Sequence, residues 1–210
     1  MSVLQNLAYF QNRRDEVPNQ ELARRLAGAG DADGIREVAS NLWNKDKRIQ
    51  ADCIKVLYEI GYLEPALIAP YAEEFIKLLR SRNNRLVWGA MIALSTVAGL
   101  QADLIFSHLP EIKRTMATGS VITLDNGISA LARAAATDPE HAAAIFPDLL
   151  DHLKNCRPKD VPQHAEKTLP AVNASNKEAF IAVLEKRTED LSGSGLARVR
   201  KVIKRLTISD

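Results

Sequence analysis

Apolar residues recur along this chain with the spacing of a one-sided helix. Ile35, Val38 and Leu42 stand at i, i+3 and i+7, and so do Ala72, Phe75 and Leu79, then Leu109, Ile112 and Met116, then Phe146, Leu149 and Leu153. Each set marks one buried stripe of an amphipathic helix, and each lies 37 residues beyond the one before. A second set of helices obeys the same period. "RIQADCIKVLYEIGYL", residues 48–63, aligns without a gap on "RLVWGAMIALSTVAGL", residues 85–100, and then on "ITLDNGISALARAAAT", residues 122–137. Ile54, Met91 and Ile128 coincide, as do Leu57, Leu94 and Leu131, and Ile60, Val97 and Ala134.

The turns before these second helices repeat as well. Asp46, Asn83 and Ser120 fall at the same point of the period. All three are residue types whose side-chain oxygen accepts from the free N–H groups that open a helix. The pattern predicts two helices per repeat. One helical hairpin cannot bury its stripe alone, whereas stacked hairpins share a continuous core.

The stretch 85–100 has no charge after Arg85. Sixteen helical residues rise about 24 Å, short of the roughly 30 Å hydrocarbon core of a bilayer. The alignment therefore makes it the second helix of a middle repeat, with no membrane insertion expected. On the positions where its neighbours carry Asp52, Lys55 and Glu59, or Asn126, Ser129 and Arg133, it carries Gly89, Ile92 and Thr96. An apolar patch ringed by polar residues marks a partner site when exposed, and Trp is a common interface anchor. The expected contact residues are Trp88, Ile92, Asp52, Lys55, Ser129 and Arg133. A helix apolar all round is equally well explained by burial. Self-association through the same patch, as a homodimer, is a further possibility.

The ends are less regular. Residues 1–30 hold a weaker pattern, with Leu22 and Leu26, interrupted by Pro18 and by "GAGDADG", and read as an N-terminal cap. Residues 31–156 form the regular array. Residues 157–210 are divergent: "RPKDVP" reads as a connection, "AEKTLPAV" and "KEAFIAVLEKRTEDL" as a looser pair, and "SGSG" as a flexible joint before "LARVRKVIKRL". That last helix sets Arg198, Arg200, Lys201, Lys204 and Arg205 against a stripe of Leu196, Val199, Ile203 and Leu206. It reads as a cap over the open end of the core. The same cations make it a candidate for phosphate or nucleic-acid contact. The 210 residues are expected to form a single solenoid domain.

Composition adds limits. Aromatics are 5% of the chain and the net charge is +2, so no global field points to nucleic acid or a membrane surface. The two cysteines, Cys53 and Cys156, are too far apart in sequence for a CxxC motif. Cys53 shares its position with Ala90 and Gly127, which predicts an inert core thiol. Cys156 stands beside Arg157 with no base in sequence reach. His108, His141, His152 and His164 never occur in HxH, HxxxH or HExxH. They read as surface or helix-end histidines, and no metal or cofactor is expected. No phosphate-binding glycine loop or nucleophile elbow is present. The N-terminus lacks the pattern of a secretory signal, so a cytoplasmic location is the expectation.

Ile49-Gln50-Ala51-Asp52-Cys53 through Leu57, and Leu86-Val87-Trp88-Gly89-Ala90 through Leu94, resemble the second helix of a HEAT repeat. The resemblance covers roughly residues 31–156. It departs from the family where many members carry a ladder Arg, since Gln50, Val87 and Leu124 stand there. It therefore implies a divergent, HEAT-like or mixed armadillo-type fold: all-α, a right-handed α-α superhelix of about five helical hairpins. Such folds mostly scaffold protein complexes, which implies a non-enzymatic module holding a protein or peptide on the concave face. Some bind nucleic acid, and some HEAT-like glycosylases act on DNA bases. Under that alternative Arg48, Lys55, Arg85 and Arg133 would join the C-terminal basic helix on the phosphates, and Trp88 and Asp125 would serve the base.

Overall fold

The computed structural model describes residues 2–208. It holds twelve α-helices and no strand among the described residues. The chain separates into two compact units, Met1–Ala130 and Leu131–Asp210.

In the first unit, α1 (Val17–Ala29) precedes three helical hairpins. The first pairs α2 (Ala32–Ser40) with α3 (Lys47–Leu63), and the second pairs α4 (Ala72–Leu78) with α5 (Asn84–Val97). A short helix, α6 (Ala102–Ser107), leads to α7 (Leu109–Thr118) and α8 (Val121–Ala135), within which the unit boundary falls. The predicted N-caps form. Asp46 accepts from the Arg48 amide at 2.8 Å, Asn83 from the Arg85 amide at 3.1 Å and Ser120 from the Thr123 amide at 3.2 Å. Most of the predicted stripe residues are buried: Ile35, Val38, Leu42, Phe75, Ile54, Leu57, Ile60, Met91, Leu94 and Val97 have almost no accessible surface, while Leu109 and Met116 are only half-buried.

At the N-terminal end one of the two expected interruptions is absent and the other forms. Pro18 does not interrupt α1 but opens it, in the first turn where its missing N–H costs nothing. Gly30 ends the helix in the left-handed region at φ 60°, the usual stop for a glycine.

Helix α5 packs tightly on α3. A Cβ on Gly89 would lie 2.8 Å from Cγ1 of Ile54, and a Cβ on Gly61 of α3 would collide with Thr96. Glycine at both points lets the two backbones approach. Gly89, Ile92 and Thr96 are accordingly buried. The hydroxyls of Ser95 and Thr96 are satisfied within their own helix, donating to the Ile92 and Ala93 carbonyls at 2.7 Å. The charge-free stretch is thus a core helix of 14 residues. No helix among the described residues is long and apolar enough to cross a membrane.

The second unit contains α9 (Pro139–Asn155), α10 (Val161–Thr168), α11 (Lys177–Arg187) and α12 (Gly193–Ile208). "RPKDVP" supplies a single 3-10 turn, Pro158–Asp160, between α9 and α10. "SGSG" is not a joint. Gly193 at φ 53° begins α12, and Ser194 and Gly195 lie in its first turn. Val199 and Val202 are the buried residues of α12, while Leu196, Ile203 and Leu206 are half-buried, so the stripe is centred differently from the expected one. Arg187 of α11 binds the end of α9, donating to the Leu153 and Lys154 carbonyls at 2.7 Å and to the Cys156 carbonyl at 2.8 Å. It satisfies three carbonyls that no helical partner would reach.

Candidate functional site

Residues 2–16 lead back to α3, where Tyr9 meets Asp52. Leu7 and Ala8 are buried, and a tight turn with Asn12 at φ 52° follows. Asp52 of α3 organises this contact. One carboxylate oxygen accepts the Tyr9 amide at 2.8 Å, and the other accepts the Asn19 side-chain amide at 2.8 Å. Asn19, fully buried in α1, in turn accepts the Ala8 amide at 2.9 Å. Asp52 is thus engaged by donors from both the N-terminal segment and α1.

Glu16 spans α3 and α5. Its two oxygens reach Lys55 Nζ at 2.8 Å and Arg85 Nη2 at 2.7 Å. Lys55 also meets Glu59 at 2.6 Å and lies over the Tyr58 ring. Burial alone would lower the Lys55 pKa. Glu16 and Glu59 outweigh it and hold the ammonium above its ordinary value. A buried lysine with two carboxylates is charged and structural, not a proton-transfer group.

Beside this lattice lies an open cleft of about 600 Å³. Arg13, Arg14, Arg48 and Arg85 line it, against Asp15, Glu16 and Asp52. Asp15 is paired with Arg13 at 2.7 Å, Glu16 with Lys55 and Arg85, and Asp52 is consumed by amide donors. Arg48 binds Asp46 at 2.8 Å and holds that carboxyl well below the usual carboxylate range. Its guanidinium also covers the Tyr9 ring at 4.5 Å, as Arg85 covers Trp88 at 5.9 Å. Both arginines stand in the first turn of their helices, where the positive end of the helix dipole adds to their charge.

A second cleft of about 470 Å³ opens at the next inter-helix turn. Arg80, Arg82 and Arg114 contribute to it. Both nitrogens of the Arg80 fork reach Glu111, which holds the Glu111 carboxyl below its ordinary 4.5.

The sequence-expected contact residues divide. Trp88 is half-buried, tilted against Tyr58 with ring centroids 6.2 Å apart. Ile92 and Lys55 retain 7% and 6% of their surface, so neither is open to a partner. Ile92 is taken by helix packing and Lys55 by Glu16 and Glu59. Asp52 is half-buried and holds Tyr9 and Asn19. Ser129 is half-buried, donating to the Asp125 carbonyl at 3.3 Å, and Arg133 is exposed. The apolar patch that suggested a homodimer therefore lies inside the first unit. Tyr9, Arg13 and Arg14 were not anticipated. The "RRDE" run of residues 13–16 was the sequence signal for the two arginines.

On α12, Arg198 is bound through both nitrogens to Glu166, the closer contact at 2.6 Å. That pairing lowers the Glu166 pKa. Arg200, Lys201, Lys204 and Arg205 are exposed. Elsewhere in the second unit, His152, Cys156 and His164 come together, with their donor atoms all within 4.8 Å of one another. The spacings of paired histidines do not capture this group, and His164, expected at the surface or a helix end, is buried. His152 and Cys156, four residues apart, were the available signal.

No protein-family model and no curated protein matches the sequence. Solved structures match over nearly the whole chain. An engineered protein from a structural genomics consortium is 18% identical, with a TM-score of 0.66, covering 99% of this chain and 97% of its own. A designed armadillo repeat protein is 13% identical, with a TM-score of 0.67 and coverages of 97% and 98%. Another, solved in complex with the peptide (KR)4, is 13% identical with a TM-score of 0.69 and coverages of 97% and 97%. At these identities the likeness concerns the fold: an all-α, HEAT/armadillo-like solenoid.

Proposed function

We propose that this protein is a non-enzymatic binding module that holds an acidic peptide segment of a protein partner. The segment would lie in the cleft between the N-terminal segment and helices α3 and α5. The observation that carries this reading is the arginine lining. Four guanidiniums line the cleft against three carboxylates. Arg13, Arg85 and Arg48 are each paired, with Asp15, Glu16 and Asp46, so a peptide carboxylate would meet Arg14 and the remaining N–H donors of the paired forks. Guanidinium forks recognise carboxylates with two parallel hydrogen bonds. The Tyr9 ring beneath Arg48 offers apolar contact in the same cleft.

The similar fold of a designed protein in complex with (KR)4 supports peptide holding as a use of this architecture. The charge of the cleft here favours the opposite kind of peptide. Fluorescence anisotropy with labelled octaglutamate and labelled (KR)4 tests the reading. Octaglutamate is expected to bind, and to lose affinity in Arg14→Ala and Arg48→Ala. Equal binding of both peptides, or binding insensitive to these arginines, would overturn it.

A second reading rests on Arg200, Lys201 and Lys204, which share one exposed face of α12. Such a row suits a phosphate backbone. Nucleic-acid affinity that falls steeply with salt and drops in the Lys201→Ala/Lys204→Ala variant would support it.

A further inference from the structure

We propose that His152, Cys156 and His164 form a binding site for a zinc-class divalent transition-metal ion in the second unit. His152 lies in the last turn of α9 and Cys156 caps that helix, its amide donating back to the His152 carbonyl at 2.8 Å. The four-residue spacing puts both side chains on one face. His164 arrives from α10, after the 3-10 turn Pro158–Asp160 reverses the chain. It is 1% exposed, whereas His152 and Cys156 are half-buried, so one side of the group remains open to solvent.

The geometry is close to what a metal requires. His152 Nε2 and His164 Nδ1 are 2.9 Å apart, and the Cys156 sulfur lies within 4.8 Å of both. Around a tetrahedral zinc, with bonds of about 2.0 Å to nitrogen and about 2.3 Å to sulfur, ligand atoms stand about 3.3–3.6 Å apart. A small parting of the imidazoles and a modest inward turn of the thiol produce that triangle. Two imidazoles and a thiolate favour zinc-class ions over Mg²⁺ or Ca²⁺. Solvent fills the fourth position.

The frame is held from outside. Arg187 fixes the carbonyls of Leu153, Lys154 and Cys156 and is itself paired with Asp190 at 2.8 Å. The His164 carbonyl accepts the buried Thr168 hydroxyl at 2.8 Å. The ligand form of cysteine is the thiolate, so a neutral Cys156 thiol gives up its proton on binding. Coordination then displaces one proton per ion, from sulfur to solvent. The proton shared by the two imidazoles moves to the outer nitrogen of its own ring and is not released.

Cobalt titration of the chelator-treated full chain tests the site. Co²⁺ is expected to bind one-to-one, giving the visible bands of a four-coordinate ion and a near-ultraviolet thiolate-to-cobalt band. Zn²⁺ displaces it, Mg²⁺ does not, and one proton appears per ion in weak buffer. Cys156→Ser abolishes the near-ultraviolet band, while Cys53→Ala, which removes the buried core thiol, keeps it. His152→Asn weakens affinity more than about tenfold, the least that loss of even an outer-shell partner costs. Circular dichroism establishes that each variant remains helical. No stoichiometric Co²⁺ uptake by the folded wild-type chain, or a thiolate band that survives Cys156→Ser, would overturn the proposal. Either result would leave the arginine cleft of the first unit untouched.

Discussion

The Asp52 carboxylate on α3 accepts the backbone amide of Tyr9 at 2.8 Å, across 43 residues of sequence. With the Asn19 amide on its other oxygen, it ties the N-terminal segment to the first unit. Asp52→Ala strands the Tyr9 amide and one Asn19 donor. The expected cost is about 1–3 kcal/mol, the usual penalty for donors left unsatisfied in a partly buried site. Hydrogen exchange would accelerate over residues 2–16 more than in α3. Trypsin would cut sooner at Arg13 and Arg14.

Helix α5 gives a second prediction. Ile92 retains 7% of its surface. Ile92→Ala therefore costs about 2–4 kcal/mol in urea unfolding, the range for large-to-small changes in a core. Gly89→Ala costs about 1–3 kcal/mol, because the added methyl meets Ile54 at 2.8 Å. A loss of less than about 0.5 kcal/mol for Ile92→Ala, as at an exposed site, would contradict the packing.

Acid weakens one inter-helix contact in a definite direction. Arg80 holds the Glu111 pKa below its ordinary 4.5, so the folded state favours the ionised carboxylate. That contribution is complete above the ordinary value and is lost as the pH falls through the folded one. Arg80 is mostly exposed, so solvent screening keeps the contribution small. Glu111→Gln is expected to be less stable than wild type at pH 7, and the gap to be smaller at a pH well below 4.5. A gap unchanged between the two would show that the ionised pair contributes nothing.

Much of the architecture was legible as a period. The stripe Ile35, Val38 and Leu42 and the caps Asp46, Asn83 and Ser120 recur because each repeat solves the same burial and capping problem. The contact face was less legible. Gly89, Ile92 and Thr96 were open to two readings, and packing against α3 decides for the interior. Periodicity within a helix records which side is apolar, not which distant segment covers it. Glu16 reaches Lys55 from 39 residues upstream and turns a position read as surface into a buried ion pair. The divergent end misled for a related reason: glycine signals a joint or a helix start equally well, and Gly193 is the latter.

The central claim is that the charge of the cleft selects the peptide. It is tested most directly by reversing that charge. Arg14→Glu/Arg48→Glu changes two exposed side chains. The wild-type chain is expected to bind octaglutamate in preference to (KR)4 by anisotropy at physiological salt, and the double variant is expected to invert that preference while its thermal unfolding is little changed. A folded variant with the same peptide preference as the wild type would contradict the account.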